Sequence, residues 1–133
     1  MPFRDVPYAE DHLLAQDMLR AGFAKVYVPG AAVIHSHEYS AWQWLRRSFD
    51  ESRAVREVYG VSPSGRPRDA AWNLRGNVMG DWRAADAAGM PRTAALAGSL
   101  AHHGARTAGS LLGARADRLP AALVAQLSLE GRR

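Results

Sequence analysis

Lys25-Val26-Tyr27-Val28-Pro29-Gly30-Ala31-Ala32-Val33-Ile34-His35-Ser36-His37 is the stretch on which the fold class turns. Val, Tyr and Ile favour extended backbone, and Pro29-Gly30 marks a turn between two such runs, so the pattern predicts strands over 25–28 and 31–37. Alternation then puts Val33, His35 and His37 on one face and Ile34 and Ser36 on the other. Two short strands need further strands or a helix layer to be stable. The expectation is therefore an α/β arrangement that is mainly helical, with this pair as part of a larger sheet.

Upstream, Pro7 restricts the residue before it to extended backbone, so a helix can begin only after it. Leu14, Met18 and Ala21 have helical spacing, Glu10 and Asp11 stand in the first turn, and Gly22 is a natural stop, which predicts a helix over 10–21. Downstream, Ser40 is a good N-cap, and Trp42, Leu45, Phe49, Arg56 and Tyr59 recur at three and four residues up to Gly60. Ser62-Pro63-Ser64-Gly65-Arg66-Pro67 reads as a linker. The expected organisation is 1–60, a linker over 61–68, and a helical region over 69–133.

In that last region helices are expected over 69–88, 92–116 and from Pro120 to about Leu127. Ala97, Ala101, Ala105, Gly109 and Gly113 repeat every four residues, a stripe of small side chains that lets a neighbouring helix come close.

Composition excludes several classes. With no cysteine there is no disulfide framework, thiol catalysis or cysteine-ligated metal. No apolar run reaches the roughly 18–20 residues of a transmembrane helix. The net charge of +4 lies in 61–133, where 10 basic residues meet 5 acidic ones, against 7 and 8 in 1–60. Apart from Lys25 every basic residue is arginine, and no nucleic-acid reading motif accompanies them, so nucleic acid is not the expected partner. Arg92, Arg106, Arg115, Arg118, Arg132 and Arg133 are expected to form a solvated surface, which could also favour an anionic membrane surface or a phosphate-bearing acceptor. Arg46, Arg47, Arg53 and Arg56 share a helix with Asp50, Glu51 and Glu57 and are expected to form a solvated, mutually paired face.

Two groups could carry chemistry. Glu10-Asp11 serve a helix start electrostatically, and one of them could also accept a proton from an attacking hydroxyl. His35 and His37, two apart on a strand, could point at one site. His102 and His103 are adjacent on a helix and are expected to point apart, and the four tryptophans are expected in a core or interface.

In order and spacing, Tyr8-Ala9-Glu10-Asp11, Met18-Leu19-Arg20-Ala21-Gly22-Phe23, Val26-Tyr27-Val28-Pro29, Ala31-Ala32-Val33-Ile34-His35-Ser36-His37 and Arg46-Arg47-Ser48-Phe49-Asp50 resemble glycosyltransferase family 2. The rhamnosyltransferase-like branch, which acts in cell-surface polysaccharide biosynthesis, is the nearest in flavour; Arg118-Leu119-Pro120 and Leu127-Ser128-Leu129 add to the likeness. The resemblance implies the C-terminal portion of a GT-A fold enzyme using a nucleotide-sugar donor, a glycan or lipid-linked acceptor and a divalent metal, Mg or Mn. It implies Asp11 as catalytic base beside Glu10, and His35 as a metal ligand aided by His37. The family's nucleotide-binding half, ending in Asp-x-Asp, is not in this sequence, so the chain is expected to be an incomplete portion, inactive alone. The implied setting is the cytoplasm, peripheral at the inner face of the cell membrane. The competing expectation is a non-catalytic helical module binding a partner or a membrane surface.

Overall fold

A computed structural model of the chain describes residues 4–6, 8–35, 37–61 and 66–130. It contains α1 (Glu10–Arg20), α2 (Ala41–Tyr59), α3 (Pro67–Ala87), α4 (Arg92–Gly113), a 3₁₀ turn (Ala116–Arg118) and α5 (Ala121–Leu127).

Each boundary has a local cause. Ser40 caps α2: its Oγ accepts from the Gln43 N–H at 3.3 Å while its own N–H donates to Gln43 Oε1 at 2.9 Å, a reciprocal capping box. Gly60, at φ 68°, ends the helix in the left-handed region that glycine occupies without strain. Pro67 opens α3, where a missing N–H costs nothing.

Helix α2 packs most extensively on α4, α4 also on α3, and α5 touches α2. Leu45 meets Gly109 and Phe49 meets Gly113, so α2 and α4 run parallel. Asp81 meets Ser99 and His103, and Asp86 meets Arg92, so α3 returns antiparallel between them in sequence. Phe49 is fully buried, with Ala54, Ala70, Val78, Ala85, Ala114 and Leu127 around the same interfaces.

The expected strands are absent. Among the described residues there is no β-strand, and the α/β reading, with its GT-A sheet, gives way to an all-helical domain. The turn itself is present, with the Ala31 N–H donating to the Val28 carbonyl at 3.1 Å. Proline's fixed negative φ at the first central position cannot make the type I′ or II′ turns that match strand twist, so the arms splay instead of pairing. Neither a third strand nor a helix covers them: Val26, Tyr27, Val33 and Ile34 are 73, 87, 85 and 104% exposed.

The arginine face is also different from the expectation. Arg46 is buried and Asp50 completely so. Arg46 Nη2 donates to the Ser128 carbonyl, and Asp50 Oδ2 accepts the Leu129 and Glu130 N–H groups at 2.6 and 3.2 Å. Arg56 holds the Ala114 carbonyl at 2.6 Å and chelates Asp117, its Nη2 reaching Oδ2 at 2.8 Å. Helix periodicity shows which charges share a face; it does not show that a returning chain 80 residues later will use them. Arg53 keeps the expected local pairing with Asp50 and Glu57 at 3.9 and 3.7 Å.

Candidate functional site

The backbone enters α1 through Ala9 at φ 64°, ψ 30°. This is the only non-glycine residue with positive φ among the described residues, and its methyl is buried. A non-glycine residue in this region costs of order 1–2 kcal/mol, and such strain gathers where a chain must present particular groups. Here it turns Glu10 and Asp11 into a cleft of about 470 Å³ lined also by Tyr8, His12, Arg47, Glu51 and Glu130. Asp11 Oδ1 accepts the His12 N–H at 2.8 Å, which fixes the carboxylate at the helix start. Burial pushes the Tyr8 phenol above its ordinary 10.0, against the opposing pull of Arg47, so Tyr8 stands as a protonated donor.

His35 and His37 do come together, although not on a strand: their ring centroids are 4.3 Å apart, edge to face at 86°. His37 stacks on Tyr39 at 4.9 Å and 9°, and Tyr39 meets Trp44 edge-on at 5.2 Å. Desolvation, then the charges of His35 and Arg47, lower the His37 imidazole below 6.5, which keeps it neutral.

Arg47 joins the two predicted groups. It lines the cleft beside Asp11, and its guanidinium lies 5.7 Å from the Tyr39 ring centroid, in the stack that holds His37.

By itself the histidine pair does not complete a Mg or Mn site. Such ions take oxygen donors in octahedral sets, whereas this chain brings two exposed imidazoles together; among the described residues no group of three His, Cys, Asp or Glu side chains could hold a metal ion.

The aromatic row continues from Trp44 to His102 at 4.8 Å and on to His103 at 4.7 Å. The two rings meet edge to face although adjacent helix positions are expected to point apart, and their other neighbours differ, Trp44 for His102 and Asp81 for His103. Asp81 Oδ2 receives both Ser99 Oγ at 2.7 Å and His103 Nε2 at 2.9 Å, so the carboxylate, rather than the imidazole, holds the hydroxyl, and Ser99 is not activated as a nucleophile. Trp42, Trp72 and Trp82 are exposed, so they are not core residues of this chain, and Trp44 lies within the row.

Arg47 and Ala9 are the cleft-lining residues that sequence reading did not assign to a site. Arg47 stood in a row of helix charges with nothing to single it out, and an alanine carries no sign of positive φ. Compared with family models, curated proteins and solved structures, the chain finds no match. No helix among the described residues is long and apolar enough to cross a membrane.

Proposed function

We propose that this chain carries the acceptor side of a nucleotide-sugar glycosyltransferase resembling family 2, with Asp11 as general base. The observation that supports it is the cleft at the start of α1, where strained Ala9 presents Asp11 and Glu10 beside Arg47 and Tyr8. With Oδ1 held by the His12 amide, Oδ2 accepts the proton of an acceptor hydroxyl. The hydroxyl oxygen then bonds to the anomeric carbon of the donor sugar as the carbon–oxygen bond to the nucleoside diphosphate breaks, with inversion. Rhamnose is the donor sugar that the resemblance favours, and a polysaccharide or lipid-linked glycan the acceptor, at the cytoplasmic face of the membrane.

The reading requires a nucleotide-binding portion from another segment or chain, which also supplies the carboxylates for any divalent ion. The exposed apolar residues between Phe23 and Ile34 are a surface such a portion would cover. The test is Asp11→Asn in an enzyme that includes the donor-binding portion: turnover falls by about 10²–10⁴-fold with the fold unchanged. Turnover retained at the parent level sinks the assignment.

The second reading, a non-catalytic interaction module, is favoured by the same exposed Val26, Tyr27, Val33 and Ile34. It predicts that Val33→Asp with Ile34→Asp abolishes function while Asp11→Asn leaves it intact.

A further inference from the structure

A second groove, between α3 and α4, lies apart from the cleft at α1 and rests on neither reading above. It is about 200 Å³ in volume and floored by Ala70. Its walls are Asn73 and Asn77, one turn apart on α3, and His103, Arg106, Thr107 and Ser110, spaced at three, four and seven residues on α4. Antiparallel packing of α3 on α4 turns these two stripes toward one another.

We propose that this groove binds a phosphate group. All six wall side chains can donate hydrogen bonds, and none is a carboxylate. Among the described residues no carboxylate pairs with Arg106, whose guanidinium lies over the Trp44 ring at 5.4 Å from its centroid, a contact that orients the fork without neutralising it. The acids that flank the α3 stripe one turn to either side are both engaged, Asp69 by the Arg66 N–H and Asp81 by Ser99 and His103. A neutral sugar would want carboxylate acceptors and an aromatic platform, and the groove offers neither. An oxyanion suits the donors of Asn73, Asn77 and Thr107 together with an arginine that has no carboxylate partner among the described residues. The volume is below the ~300–1,000 Å³ of whole small-molecule sites, so the groove takes the phosphate and a little of what it esterifies.

The test uses amide chemical shifts of the full chain titrated with inorganic phosphate at constant ionic strength, with chloride as control. Saturable shifts confined to 70–77 and 103–110 are expected. Arg106→Gln, at an exposed position, should weaken binding about ten- to hundredfold with circular dichroism unchanged, the loss of one charge-assisted contact; Asn77→Ala should weaken it less. Shifts that do not saturate, that chloride reproduces, or that persist in Arg106→Gln overturn the proposal. Co-sedimentation with phosphatidylglycerol and phosphatidylcholine vesicles then separates the sources. Arg106-dependent, phosphate-competed binding to the anionic vesicles alone assigns a lipid headgroup, and saturable phosphate binding without vesicle binding assigns a soluble phosphate ester.

Discussion

Gly109 lies directly against the backbone of Leu45: a Cβ at 109 would run into the Leu45 carbonyl oxygen and stand 2.9 Å from its carbon. One turn on, Gly113 has the same relation to Phe49. Because the obstacle is backbone on both occasions, no rotamer change relieves it, and the parallel helices must separate. Gly109→Ala or Gly113→Ala should cost about 2–3 kcal/mol or more, the upper part of the overpacking range. Gly98→Ala and Gly104→Ala, whose Cβ atoms meet nothing within 4 Å, should instead stabilise by up to about 1 kcal/mol through helix propensity. Urea denaturation of the four variants checks the contrast.

Asp50 is the second point at which α2 organises the chain. Its Oδ2 takes both Leu129 and Glu130 N–H groups, and Arg53 Nη2 stands 3.9 Å from Oδ1. Asp50→Ala strands those amides and removes the acid from beside half-buried Arg53, at a cost of about 3–5 kcal/mol. Asp50→Asn keeps an acceptor oxygen and should cost less. Amide exchange at 129 and 130 is the direct readout, and unchanged protection in Asp50→Ala would refute the anchoring role.

Much of this helical framework was legible in the sequence, and the reasons separate what was from what was not. Ser40, Gly60 and Pro120 act through local backbone chemistry, so α2 and α5 could be placed from neighbouring residues, whereas Pro67, read as linker, is the first residue of α3. The stripe on α4 was half legible. A four-residue step turns about 40° beyond a full turn at 3.6 residues per turn, so a line from Ala97 to Gly113 winds around the helix. Ala97 and Ala101 end up exposed while Gly109 and Gly113 reach α2. The strands failed because β-propensity reports fitness for a sheet and says nothing of whether partners are present. The position of Glu10 and Asp11 at the start of α1 was legible from local pattern, whereas the groove of Asn73, Asn77 and Arg106 needs two helices in register, which no single-helix pattern contains.

Stability should fall in two steps as the solution is acidified. Burial, then the charges of His103 and Arg106, lower His102 below its ordinary 6.5. The folded chain therefore binds fewer protons than the unfolded one, so this contribution is full above pH 6.5 and declines as the pH drops through the lower folded value. Hydrogen bonds from Ser99 and then His103 hold Asp81 below 3.8, so its contribution is full above that pH and is lost only beneath it. Tm measured from pH 8 to pH 3 should show a smaller first decline in His102→Gln and a smaller second one in Asp81→Asn, the remainder coming from His37, also lowered below 6.5, and from Asp117, held below 3.8 by Arg56. A first decline undiminished in His102→Gln would place its origin elsewhere.

Ala9 gives the sharpest test of strain at the candidate site. Its φ of 64° costs about 1–2 kcal/mol for an L-residue with a Cβ. Glycine removes that cost and gives back about 0.5–1 kcal/mol in chain entropy, so Ala9→Gly should leave stability unchanged or raise it by up to about 1 kcal/mol. Valine is branched at Cβ, cannot adopt this conformation without severe crowding, and enters a position only 6% exposed. Ala9→Val should therefore lose more than about 2 kcal/mol, or shift α1 so that Asp11 no longer faces Arg47. Thermal denaturation separates the two variants, and the amide resonance of His12, which donates to Asp11, reports whether the carboxylate has kept its place. If Ala9→Val is as stable as the parent with the His12 resonance unmoved, the positive φ is not a constraint on the cleft, and Glu10 and Asp11 are held by α1 alone.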